Sequence, residues 1–292
     1  MTHPYAGPVL RWYADHARDL PWRVPGASPW SVLVSEIMLQ QTPVARVLPA
    51  HAAWLARWPA APSLAAAAPA DAVRQWGRLG YPRRALRLHA TARILTDDHG
   101  GQVPASVPAL LELPGVGSYT AAAVASFAYG QRHAVLDTNV RRVLARLMRG
   151  EHTPPRSASA AEVKLAEALL PASPRRAARW SVAIMELGAL VCTATRPDCE
   201  QCPVTRQCAW RRAGRPPGPA RPAAQRYAGS DRECRGRMLA LLREAAGPVP
   251  AARLEAAWPD PAQQARALSA LVADGLATAL DQHRYGLPGE AR

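Results

Sequence analysis

The sequence predicts an all-α protein with a small winged-helix-like domain at its C-terminus. Three observations predict it. Apolar residues recur at helical spacing through most of the 292 residues, in runs stopped by proline or glycine. Leu113-Pro114-Gly115-Val116-Gly117 joins two such runs through a glycine turn, a helix-hairpin-helix. After a Pro-, Gly- and Arg-rich stretch, Arg211–Ser230, three short helical patterns precede a hairpin.

Composition bounds the function. Lys+Arg number 36 against 22 Asp+Glu, a net charge of +14, which suits a polyanionic partner. Lys164 is the sole lysine, so part of the arginine excess reflects a compositional bias that also favours Ala and Pro. No apolar run reaches membrane-spanning length and no leader pattern opens the chain, so a cytoplasmic location is expected. There, clustered cysteines suggest a metal rather than disulfides.

The elements follow in order. Val9–His16 reads as a first helix, and Leu20-Pro21-Trp22-Arg23 leads into a loop. Ser28-Pro29 is a helix start: a capping hydroxyl, then proline at the first helical position. The helix from Trp30 to about Gln41 is apolar nearly all round, with Glu36 as its only charge. A buried carboxyl holds its proton towards neutral pH and can act as a general acid; on the pattern alone, a structural Glu paired with an arginine serves equally well. His51–Trp58 and Ser63–Ala68 read as helices with proline ends. Asp71–Leu79 stops at Gly80-Tyr81-Pro82, and Arg83–Thr96 is a basic amphipathic helix whose Arg83, Arg84 and Arg87 suit phosphates or a solvated face.

The helix after Gly117 stops near Gly130, and its first N–H groups suit a phosphate. Asp137 then follows an apolar strip and precedes Arg141–Arg149, placed to cap a helix. Gly150–Ser159 is a loop; Glu162–Leu170 and Trp180–Val191 are helical. Cys192, Cys199, Cys202 and Cys208 follow, spaced C-x6-C-x2-C-x5-C, a set that suits zinc or an iron–sulfur cluster. Cys234 stands outside it as a free thiol. Beyond the linker, Gly236–Ala246, Ala251–Trp258 and Pro261–Gly275 read as helices, and Leu276–Leu280 and Arg284–Leu287 as a hairpin around Asp281-Gln282-His283.

The segment LPGVGSYTAAA followed by VLDTNVRRVLARL closely resembles the helix-hairpin-helix DNA glycosylases of the endonuclease III superfamily, and within it the MutY-type adenine glycosylases. The resemblance runs from about Trp12 to about Trp210. It implies two helical lobes: an iron–sulfur lobe from residues 1–22 and 131–212, and a six-helix lobe from 23–130. A linker, 213–230, and the winged-helix-like domain, 231–292, complete the expected organisation. The resemblance implies a 4Fe–4S cluster on the four cysteines. Ser35–Thr42 resembles the segment that carries the catalytic Glu, assigning general acid to Glu36. Asp137 is implied to stabilise the sugar's developing charge, with Asn139 and Tyr119 orienting it and water. Tyr119 stands where bifunctional relatives have a Schiff-base lysine, which implies base removal without strand cleavage. Gln41, Thr42, Leu79, Gly80 and Tyr81 are implied to press into DNA around the lesion, and Gly115, Val116 and Gly117 to grip its backbone. Pro82 departs from the pattern, which has a second aromatic there.

The expected function is a monomeric, monofunctional adenine glycosylase acting on duplex DNA with A opposite 8-oxoguanine or guanine. Relatives use a larger Nudix-like domain to read oxidised guanine, and residues 232–292 leave no room for one. Two alternatives share the motifs: a thymine/uracil mismatch glycosylase and a non-catalytic iron–sulfur DNA-binding protein.

Overall fold

The computed structural model describes residues 3–219 and 226–290, so part of the expected linker lies outside the described residues. Helices dominate. The N-terminal part runs α1 (Ala6–His16), α2 (Pro29–Leu39), α3 (Val44–Arg57), α4 (Ala61–Ala65), α5 (Pro69–Trp76) and α6 (Arg83–Asp98). The hairpin pair is α7 (Val107–Leu111) and α8 (Ser118–Tyr129). Next comes α9 (Thr138–Leu144), which continues into one π turn, Ala145–Arg149. Then follow α10 (Ala160–Ala168), α11 (Pro174–Leu190) and the short α12 (Ala209–Arg212). The C-terminal part is α13 (Asp231–Glu244), β1 (Val249–Pro250), α14 (Ala251–Glu255), α15 (Pro261–Ala273), β2 (Thr278–Leu280) and β3 (Arg284–Gly286).

Local chemistry sets these ends. Ser31 N–H donates to Ser28 Oγ at the start of α2, 3.1 Å. Ser159 and Glu162 exchange bonds at the start of α10, each side chain accepting from the other's N–H. Asp260 accepts from Ala262 and Gln263 to open α15. Gly130, at φ +66°, closes α8 in the left-handed region.

Several elements differ from expectation. The helix expected at His51 begins at Val44 and carries Pro49 inside it. Val47, His51 and Trp54 are buried along one face, and that packing outweighs the hydrogen bond the proline removes. The helix expected at Trp180 begins at Pro174, at the first helical position. The C-terminal sheet has three strands, ordered β1-β3-β2, because Val249–Pro250 pairs antiparallel with Arg284–Tyr285 beside the hairpin.

The chain forms two compact units. The first is Met1–Glu36, Pro104–Glu112 and Val116–Arg221. Its core joins Val9 and Trp12 of α1, Ala123 of α8, Val140 and Leu144 of α9, and Trp180, Ile184 and Leu187 of α11. The second is Ile37–Val103, Leu113–Gly115 and Pro222–Arg292. Trp54 packs edge-on against Trp58 and Trp76 in its helical part, with ring centroids 4.7 and 5.7 Å away. Its C-terminal subdomain closes over Met238, Leu242, Val249, Leu254, Leu271 and Leu287. Arg74 bonds Glu290 and the Ala245 carbonyl, and Arg83 pairs with Asp274 at 3.1 Å, tying this subdomain to α5 and α6. Among the described residues no helix is long and apolar enough to cross a membrane.

Candidate active site

Glu36 sits in an α2 whose residues from Trp30 to Met38 are all buried. Burial pushes its carboxyl up to about 7, against the opposing pull of the Tyr119 hydrogen bond and the positive charge of Arg23. The Tyr119 hydroxyl, from the first turn of α8, donates to Glu36 Oε2 at 3.0 Å. Burial raises this phenol well above its ordinary value, and the Glu36 and Asp137 charges raise it further, so Tyr119 stays protonated as a donor.

Asp137 belongs to the same group. It caps α9, with Val140 N–H donating to Oδ1 at 2.6 Å and Asn139 Nδ2 to Oδ2 at 2.7 Å. Burial pushes this carboxyl up, and those two donations pull it back. Asn139 is fixed in turn: its Oδ1 accepts from Arg142 Nη2 at 2.7 Å, and Arg142 also donates to the Gly188 and Cys192 carbonyls. Gly188 of α11 lies against Asn139 so closely that a Cβ there would meet the Asn139 Cβ at 2.7 Å and its carbonyl oxygen at 2.9 Å. Glu36, Tyr119, Asp137 and Asn139 therefore come together within the first unit.

Sequence reasoning missed a second ion group in that unit. Glu186 of α11 is completely buried. Arg18 donates to it through Nε at 2.6 Å and Nη2 at 2.8 Å, and Arg23 through Nη1 at 2.6 Å. Burial works to raise this carboxyl, but the two arginines overrule it and hold it near 2. The signal was present in part: Glu186 is the only acid of α11 and stands in its apolar C-terminal half, although three arginines open the helix.

The expected DNA-facing residues divide. Gln41 and Tyr81 are exposed at the tips of two turns, and both have left-handed backbones, at φ +57° and +47°. Such conformations cost a non-glycine residue about 1–2 kcal/mol and persist where surroundings fix them. Thr42 and Leu79 are buried beneath those tips, the Thr42 hydroxyl donating to the Leu79 carbonyl at 3.3 Å. Gly80, at φ +85°, is exposed. Gly115, at φ +83°, lies on the Arg87 side chain and accepts from Gln40 Nε2 at 3.2 Å. Val116 is buried, and Gly117 is exposed at the N-terminus of α8.

Arg84 departs from the expected basic face. It is buried, and its guanidinium donates to the Ile37, Met38 and Gly80 carbonyls and to Thr42 Oγ1. Burial lowers it to about 10, which leaves it charged at neutral pH.

The iron–sulfur expectation is corrected. Cys192, Cys199, Cys202 and Cys208 line one pocket, yet among the described residues no group of three or more His, Cys, Asp or Glu side chains is arranged to hold a metal ion. None of the four is disulfide-bonded, and burial pushes Cys202 up to about 12 and Cys192 upward. Close spacing gathers cysteines without fixing where their sulfurs point. Buried Arg146 holds this loop, donating to the Thr193 carbonyl at 2.7 Å and the Ala194 carbonyl at 3.2 Å, with its guanidinium over Trp210.

The family model for HhH-GPD superfamily base excision DNA repair proteins matches residues 34–168. An adenine DNA glycosylase of Mycobacterium tuberculosis is 52% identical over 288 residues, covering 97% of this chain and 93% of that protein. One from Mycolicibacterium smegmatis is 51% identical over 284 residues, covering 97% and 95%. The solved structure of a thermostable thymine-DNA glycosylase matches with a TM-score of 0.64 at 28% identity, over 72% of this chain and 95% of that one.

Proposed function

The chain belongs to the adenine DNA glycosylases of the HhH-GPD superfamily, and from that premise we propose that it removes adenine mispaired with 8-oxoguanine or guanine in duplex DNA, leaving an abasic site. The observation that carries the chemistry is Glu36: a buried carboxyl poised near 7 and hydrogen-bonded to Tyr119, in one unit with Asp137.

A base inside a duplex is out of reach, so adenine must first be extruded. Glu36 then gives its proton to a ring nitrogen of adenine, which makes the base a leaving group. Asp137 faces the oxocarbenium character that develops on the sugar, held in place by Asn139 and the Val140 N–H, and water adds to the carbon that the base has left and gives up a proton, which yields the abasic site. Tyr119 supplies no amine, so no Schiff base forms and the strand stays intact. Gln41 and Tyr81 meet the bases around the vacated position, with Thr42, Leu79 and Gly80 supporting them. Gly115, Val116 and Gly117 meet the phosphate backbone. The C-terminal subdomain is read as a winged-helix-like unit that assists binding, and the enzyme as a cytoplasmic monomer acting on the nucleoid.

Four duplexes test the reading: A opposite 8-oxoguanine, A opposite G, T opposite G, and A opposite T. Alkali-dependent breaks in the adenine strand of the first two are expected. Cleavage of the thymine strand instead, or of none, overturns it. The rate should also follow the state of Glu36. Single-turnover base removal is expected to be flat below about pH 6 and to fall about tenfold per pH unit well above 7, as the acid loses its proton. A rate that rises through that range would assign Glu36 a base's role.

A further inference from the structure

We propose that Arg84 is a positioning residue that locks the Leu39–Thr42 and Leu79–Pro82 turns into one rigid two-pronged element, presenting Gln41 and Tyr81 to the duplex together. The inference rests on the proposed reading of the chain as a DNA glycosylase. Its evidence is a set of contacts within the second unit.

The guanidinium of Arg84 reaches both turns at once. Nη1 donates to the carbonyls of Ile37 and Met38 at 2.9 Å each and to that of Gln40, at the C-terminal end of α2. Nη2 donates to Thr42 Oγ1 at 2.9 Å and, across to the other turn, to the Gly80 carbonyl at 3.0 Å. Trp76 and Tyr81 both present their rings to the same group, with centroids 5.2 and 5.4 Å from Cζ. Trp76 Nε1 also donates to the Gly80 carbonyl, at 3.0 Å. A positive charge at a helix C-terminus meets the negative end of its dipole.

The two prongs need this. Gln41 and Tyr81 both hold left-handed backbones that non-glycine residues adopt only when the surroundings impose them. One buried planar fork bonds both turns and stacks near one of the tip rings. Lysine has three donors on a flexible stem and cannot bridge both in that geometry. If the prongs moved independently, each would meet the duplex without the other, and extrusion would lose its cooperation.

The test uses the full chain and the variants Arg84→Lys and Thr42→Val, the second a near-isosteric removal of one clamp contact. Three readouts are taken. They are single-turnover adenine excision, affinity for a duplex with a tetrahydrofuran abasic analogue opposite 8-oxoguanine, and fluorescence of 2-aminopurine beside the target adenine, which rises on unstacking. For Arg84→Lys, excision is expected to fall about 100-fold, the scale of an ångström misplacement. The fluorescence rise should be lost, while affinity for the abasic duplex, which has no base to extrude, stays within about threefold. Thr42→Val should show the same split more weakly, and it decides the matter if Arg84→Lys does not fold. Excision and unstacking equal to the unmodified protein in both variants overturns the proposal, as does a loss of abasic-duplex affinity that matches the loss of excision. An unmodified protein that unstacks the duplex but leaves adenine attached would sink the glycosylase reading alone.

Discussion

Replacing Glu36 with glutamine leaves a folded protein that binds mispaired duplex as before and removes adenine about a thousandfold more slowly, within the usual range for a lost general acid. The amide matches the neutral carboxylic acid in shape and still accepts the Tyr119 hydroxyl, so the site keeps its geometry. It has no acidic proton to give. Stability moves the other way. The folded protein holds the Glu36 proton up to about 7, whereas the unfolded chain releases it near 4.5. Between those values the unfolded state loses its proton first, so the folded state loses stability as pH rises, and above 7 the whole penalty applies. Glu36→Gln removes it, and thermal denaturation at pH 8 should show the variant more stable by roughly 3 kcal/mol. Excision within tenfold of the unmodified protein, measured in single turnover, would remove Glu36 from the chemistry.

Gly188→Ala is the second large effect. Alanine usually favours a helix over glycine by up to about 1 kcal/mol. Here its Cβ would sit 2.7 Å from the Asn139 Cβ and 2.9 and 3.0 Å from that residue's carbonyl oxygen and carbon. Backbone cannot swing aside as a side-chain tip can. The two helices must part, at a cost of about 1–3 kcal/mol, and Asn139 carries the Asp137 carboxylate with it. A fall in melting temperature together with a loss of about 100-fold in single-turnover rate is expected. Gly7→Ala is the control: its Cβ would meet only the tip of Arg11 at 3.4 Å, so the helix preference should win and stability should not fall. A stable, active Gly188→Ala would show that α9 and α11 yield there at little cost.

How far the site was legible depends on the kind of signal each residue carries. Glu36 stands out because a single charge on an otherwise apolar helix has few explanations. Tyr119, Asp137 and Asn139 were legible through motif resemblance, and the structure does bring them to Glu36. Glu186 is the only acid on a helix that arginines open, a weaker signal, and its partners Arg18 and Arg23 lie more than 160 residues away, so nothing local announces the pair. Arg84 was hidden by its neighbours, since Arg83 and Arg87 do lie outward. Its phase distinguishes it: it stands four residues before Leu88 and eleven before Leu95, on the buried stripe of α6. The cysteines mark the limit of spacing as evidence, because distance along the chain restricts where a thiol can be without aiming it. Pro49 was misleading because a proline's local preference gave way to the burial of Val47 and Trp54.

The contact between Arg74 and Glu290 bears on how the chain is made. Those residues are 216 apart. At roughly 5–20 residues per second of synthesis, on the order of ten to forty seconds separate the appearance of the first from that of the second. Throughout that interval α5 has emerged without the α13 face and the C-terminal acid that cover it. The first unit's last residues are also finished before the second unit's final helices exist. The second unit, whose leading helices are among the earliest synthesised, is thus the last to close.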